Sequence, residues 1–276
     1  MTSLAVLASA LMSAPAPAAY DTEYLIEAFD SVTGFATEMV KATDLGYDSG
    51  LSIAASFLNA NKSATFTKTL KAGVTYAFLA SGDDDAEDVD IKVTDASGRV
   101  VAEDTDIDSY AADSFVAEKA GAYKFTVTLA STTPSYVGCI LLSDNGWSIP
   151  VANLAVPMAD LVDTVDSLSE ETPMSFVKTA NTFCLYGAVV EADKTFTMTG
   201  LSLSGKMPTV VGACDVNSDD IDLSVFNSAN ELVGIDDSDD DFPVVTLERA
   251  LSGAKVTLTN AGADASVSIF GLLSAG

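Results

Sequence analysis

Alternating and β-branched stretches dominate the chain. Thr65-Phe66-Thr67 and the stretches 74–80 (VTYAFLA), 88–95 (DVDIKVTD), 99–103 (RVVAE) and 123–129 (YKFTVTL) alternate or are rich in Val, Thr, Tyr and Phe. Gly, Asp, Ser and Asn separate them at short intervals, a pattern that predicts short antiparallel strands. Two stretches have another period. Leu25, Phe29, Val32, Ala36 and Met39 recur at helical spacing, and so do Met158, Leu161, Val165 and Leu168 behind Pro157, a residue suited to a first helical turn. No helical segment alternates with the strands, so the pattern predicts antiparallel β-sandwiches.

The pattern occurs twice. Residues 88–104 (DVDIKVTDASGRVVAED) align with 220–236 (DIDLSVFNSANELVGID) at an offset of 132. Asp88, Asp90, Val93, Val101 and Asp104 then meet Asp220, Asp222, Val225, Val233 and Asp236. The helical leads align as well, LIEAFDSV (25–32) with LVDTVDSL (161–168). Asn145-Gly146, Pro150 and Pro157 punctuate the chain between the copies. The expected organisation is mainly β: a leader over 1–18, then two tandem antiparallel, jelly-roll-like β-sandwich domains, 19–155 and 156–276, each preceded by a short helical lead.

The run GVTYAFLASGDDDAEDVDIKVTDASGRVVAEDTD, followed by AGAYKFTVTL, resembles the pre-peptidase C-terminal domain of secreted bacterial and archaeal proteins. The likeness covers residues 65–130 well. The second copy departs from it, with Pro208 for Tyr76, Asn230 for Gly98 and Lys255 for Tyr123. The helical leads lie outside the family pattern. The resemblance implies a compact, non-catalytic β-sandwich, often calcium-binding, of the kind appended to secreted hydrolases and surface proteins.

Charge narrows the function. The chain of 276 residues carries 13 Lys+Arg against 40 Asp+Glu, a net charge of −27, and no histidine. The charge excludes a nucleic-acid binder and disfavours an anionic membrane face. The missing histidine excludes Ser–His and Cys–His nucleophiles and His-ligated metals. Residues 4–19 are uncharged and apolar but broken by Pro15 and Pro17, so they read as a secretory signal ending near Ala16-Pro17-Ala18 and not as a membrane span. Secretion would leave one bridge open, Cys184–Cys214; Cys139, in an apolar run, reads as a small buried hydrophobe.

The acids gather at one end of a hairpin. With Ser97-Gly98 as a two-residue turn, Asp104 falls opposite Ile91 and Asp106 opposite Val89. Alternation then puts Asp104 on the apolar face, where a carboxylate must be hydrogen-bonded, paired or metal-bound; Asp236 takes the same place in the second copy. The preceding loop supplies Asp83, Asp85, Glu87, Asp88 and Asp90, and its counterpart supplies Asp215, Asn217, Asp219, Asp220 and Asp222. Oxygens at alternate positions suit Ca²⁺, which takes six to eight of them, although the spacing is not that of an EF-hand. The other reading is of solvated acids that keep an acidic protein soluble or suit a high-salt habitat.

Other motifs point nowhere further. Gly200 to Lys206 approximates a phosphate loop, but Met207 and Pro208 follow it. Ser175 and Lys178 have nucleophile-pair spacing without companion motifs. Trp147 and Tyr136 are candidates for sugar stacking or for packing. The chain is therefore expected to be a secreted, non-enzymatic, calcium-binding protein that adheres to an extracellular polymer or cell surface. The alternative is a self-assembling subunit of a filament, tube or surface layer, with copies of itself as partners.

Overall fold

The computed structural model describes residues 19–276 apart from Asn145, Ala180 and Asn181; the expected leader over 1–18 lies outside the described residues. Helix α1 (Ala19–Ala42) precedes β1 (Leu45–Tyr47), β2 (Ile53–Leu58), β3 (Lys62–Leu70), β4 (Thr75–Gly82), β5 (Val89–Thr94), β6 (Val100–Asp104), β7 (Tyr110–Val116), β8 (Gly121–Leu129) and β9 (Ser135–Asp144). Helix α2 (Val151–Glu171) precedes β10 (Met174–Phe176), β11 (Leu185–Val190), β12 (Lys194–Leu203), β13 (Lys206–Cys214), β14 (Ile221–Phe226), β15 (Leu232–Asp236), β16 (Val244–Thr246), β17 (Leu251–Asn260) and β18 (Ser266–Ala275).

One ten-stranded sheet runs through both halves in the order β7-β4-β9-β2-β11-β18-β13-β16, with β1 on β9 and β10 on β18. Two four-stranded sheets, β3-β8-β5-β6 and β12-β17-β14-β15, complete the chain. The strand order of the first half recurs, position by position, in the second. The halves meet where β2 and β11 pair antiparallel.

The large sheet is buried on both faces. Toward the helices it presents Ile53, Leu79, Ile140, Val211 and Ile269, which pack with Leu25, Phe29 and Val32 of α1 and Leu161 and Val165 of α2. Toward the small sheets it presents Phe78, Val137, Leu141, Val210 and Phe270, which pack with Phe66, Phe125, Leu223 and Leu258. Strands such as β9 are therefore almost continuously apolar and carry little of the alternation of a half-exposed strand. At Gly138 the helix layer comes so close that a Cβ would meet Val32 Cγ1 at 2.8 Å and the Ala28 carbonyl at 2.9 Å.

Three local expectations change. Helix α2 starts at Val151, so Pro157 lies inside it and not in its first turn; Leu154, in the added turn, is buried on the sheet. The 96–99 hairpin does not use a two-residue turn. Asp95 N–H bonds Arg99 O, Gly98 adopts φ 83°, and a bulge at Val101, between the Thr94–Val100 and Val93–Ala102 pairs, restores the register, so Ile91 still faces Asp104. In the second half Asn230 takes Gly98's left-handed place at φ 61°, a conformation asparagine tolerates. Finally, Cys139, Cys184 and Cys214 are buried and none is in a disulfide among the described residues. A Cys184–Cys214 bridge is out of reach because β18 lies between β11 and β13. Two strand spacings amount to about 9.5 Å, beyond the ~7 Å limit for the Cα atoms of a disulfide.

Candidate functional site

The two acidic tips occupy corresponding ends of the halves. In each, an aspartate ending a large-sheet strand organises the turn that follows. Asp83 is 4% exposed; its carboxylate accepts from Tyr136 N–H at 2.7 Å and Asp85 N–H at 3.2 Å. Asp215 is 2% exposed and accepts from Ser266 Oγ (2.8 Å), Asn153 Nδ2 (2.8 Å) and Asn217 N–H (3.1 Å). These carboxylates therefore tie the tip to the last strand of each half, and through Asn153 to α2. Burial lifts the Asp83 carboxyl to about 6; hydrogen bonds from Tyr136, Ser135 and Asp85 pull the other way.

Asp104 and Asp236 do the same work for the crossing strand. Asp104 accepts from Ala112 N–H at 2.9 Å and Asp106 N–H at 3.2 Å. Asp236 accepts from Val244 N–H at 2.8 Å and from Ser238 Oγ at 2.8 Å. Hydrogen bonding thus answers the demand that a carboxylate on the apolar face imposes.

The remaining sequence candidates spread outward. Asp85, Glu87, Asp106, Asn217 and Asp219 are exposed, while Asp88, Asp90, Asp220 and Asp222 are half-buried. Among the described residues no group of three or more acidic or cysteine side chains is arranged to hold a metal ion. The thirteen candidates therefore do not form the ready-made cages the sequence suggests. Asp83, Asp104, Asp215 and Asp236 have oxygens committed to hydrogen bonds. One feature fits a cation: the Oδ1 atoms of Asp88 and Asp108 are buried without a hydrogen-bond partner among the described residues, and Val89 N–H joins their segments through Asp108 O at 2.9 Å. Ile221 N–H likewise joins the segments of Asp220 and Asp240 through Asp240 O at 3.0 Å, but there Asp240 Oδ1 accepts from Phe242 N–H at 3.2 Å and, among the described residues, neither side chain has a buried orphaned oxygen. Burial first, then the charges of Asp239, Asp219 and Asp240, raises the Asp220 carboxyl above the usual range. Burial first, then Asp88 and Asp104, does the same for Asp90.

Sequence reasoning missed Asp108 and Asp240, which lie at the same offset of 132 but outside the aligned hairpin. It also missed a buried ion pair, Lys68 Nζ to Asp48 Oδ2 at 2.6 Å, in which Lys68 additionally bonds Ser49 O and Leu51 O. No sequence signal joins these residues. Of the motifs set aside, Gly200 to Lys206 spans the connection from β12 to β13, and Lys178 lies 4.5 Å from the Phe57 ring centroid. Tyr136 is buried, whereas Trp147 is 39% exposed and bridges to Tyr47.

No protein-family model matches the chain, and a search of curated proteins finds no match. Solved structures with similar β architecture include the pre-peptidase C-terminal domain of a collagenase from Bacillus anthracis, at 10% identity and TM-score 0.30, covering 35% of this chain and 92% of that one. The periplasmic g-type lysozyme inhibitor PliG of Aeromonas hydrophila shares 14% identity at TM-score 0.26, covering 34% and 87%. The PBSX exported protein XepA shares 13% identity at TM-score 0.28, covering 81% and 86%. No helix among the described residues is long and apolar enough to cross a membrane.

Proposed function

We propose that the chain is a secreted, non-catalytic β-sandwich protein that adheres to an extracellular polymer or cell surface through its two equivalent acidic tips. The observation that carries this reading is the matched geometry of the tips. Each half carries an acidic turn ordered by a buried aspartate, Asp83 or Asp215, and because β4 and β13 run antiparallel the two turns lie at opposite ends of the shared sheet, so the protein would bridge two stretches of polymer. The buried, unpartnered oxygens of Asp88 and Asp108 support calcium at the first tip, with Asp220 and Asp240 as the corresponding pair; the ion would supply charge neutralisation and a bridge to oxygen-rich ligands.

The test is co-sedimentation with insoluble cell-wall polysaccharide, in calcium and in EDTA. Binding that calcium strengthens, and that Asp108→Asn and Asp240→Asn each weaken, is expected. Failure to sediment with any wall preparation overturns the reading. Ordered polymers of the protein alone, seen by electron microscopy, would favour the structural-subunit alternative.

A further inference from the structure

The two small sheets leave a cleft between them at the junction of the halves, about 550 Å³ in volume. Thr65, Phe66 and Thr67 of β3 form one wall, and their counterparts at the offset of 132, Thr197, Met198 and Thr199 of β12, form the other. Phe183 and Tyr186 line it between them. The walls are the free edges of their sheets: β3 pairs only with β8, and β12 only with β17. Among the described residues, the backbones of 63–69 and 195–202 make no other hydrogen bond.

Such edges are usually guarded by charge, proline or brevity. The outer edges of the same sheets, β6 and β15, are five residues long and acidic at their ends. Strands β3 and β12 are nine and ten residues long and contain neither acid nor proline; their charges, Lys62, Lys68 and Lys194, lie outside the central 63–67 and 195–199 segments. On β12 the guarding devices are Lys194 at its start and a bulge at Gly200, and neither falls at 195–199. Because the counterpart strands β2 and β11 pair antiparallel, the halves are related by a twofold rotation about the sheet normal, which makes β3 and β12 antiparallel to each other. A strand entering the gap would run antiparallel to one wall and parallel to the other.

We infer that this cleft binds an extended, uncharged polypeptide segment by strand addition, joining the two four-stranded sheets into one. The occupant's chemistry follows from the lining. Free N–H and C=O groups on two sides call for a peptide backbone. The apolar floor calls for apolar side chains at alternate positions. Among the described residues no lining residue is charged, in a chain with 19% charged residues, so a charged occupant would lose water without gaining a partner. The inference goes beyond the binding reading above, with a second ligand class at a different place.

The test uses the full chain and a fluorescein-labelled, capped heptapeptide of alternating threonine and valine, followed by fluorescence anisotropy. Saturable binding is expected, with amide NMR shifts at 65–67 and 197–199. A version N-methylated at alternate residues, which removes donors while keeping side chains, is expected to bind at least tenfold more weakly. Met198→Arg is expected to abolish peptide binding while retaining sedimentation with wall polymer. No binding up to millimolar peptide, equal binding of the N-methylated peptide, or displacement by soluble chito-oligosaccharide would overturn the inference. Peptide binding without polymer sedimentation would instead overturn only the polymer-adhesion reading.

Discussion

Ala54 of β2 pairs with Tyr186 of β11, its own counterpart at the offset of 132, and the neighbouring pairs Ala55–Leu185 and Ile53–Gly187 exchange places about that point. The arrangement is that of an isologous contact within one chain. Gly187 is indispensable to it: a Cβ there would lie 2.7 Å from Ile269 Cγ2 and 3.2 Å from Ile53 Cβ. Gly187→Val is expected to lower stability by about 1–3 kcal/mol through overpacking, read as a fall in thermal midpoint. An unchanged midpoint would mean that the junction is looser than its geometry.

Asp83 should give stability a pH signature. Its folded pKa of about 6 exceeds the ordinary value of 3.8, so the folded state holds this proton more tightly. The contribution is fully present below about pH 4 and is lost as pH rises through about 6. The difference in midpoint between wild type and Asp83→Asn should therefore fall across that window and level off above it. A flat difference would show that Asp83 titrates normally.

The Lys68–Asp48 pair is a matter of stability. Burial lowers the Lys68 pKa while Asp48 opposes the shift. Lys68→Ala leaves Asp48 buried beside Ser143 Oγ and should cost about 3–5 kcal/mol in denaturant unfolding. The double variant with Asp48→Ala should cost less than the sum of the single ones.

The three thiols should resist a thiol-specific reagent in the native protein. Burial pushes the Cys214 thiol up to about 12 and raises that of Cys139 as well. All three, Cys139, Cys184 and Cys214, should react once the protein is unfolded. Fast native labelling would contradict their burial.

Much of the fold was legible because β5, β6 and β8 alternate against one core and repeat at a fixed offset. Helix α1 was legible from its 3.6-residue period. The joined sheet was not, since β2 and β11 are short and apolar and nothing local says that each pairs with its counterpart. The candidate site was half legible. The sequence places the carboxylates at the tips, but whether an aspartate meets a backbone N–H or an ion depends on which strand crosses it. Ala112 and Val244 meet Asp104 and Asp236 only through the three-dimensional path of β7 and the segment into β16.

The shared sheet makes the two halves one cooperative unit, and scanning calorimetry of the full chain tests this most directly. A single transition, with van't Hoff and calorimetric enthalpies equal, is the expected result, because opening β2 from β11 would strand both faces of a buried sheet. Two resolved transitions, each with the enthalpy of one half, would contradict it.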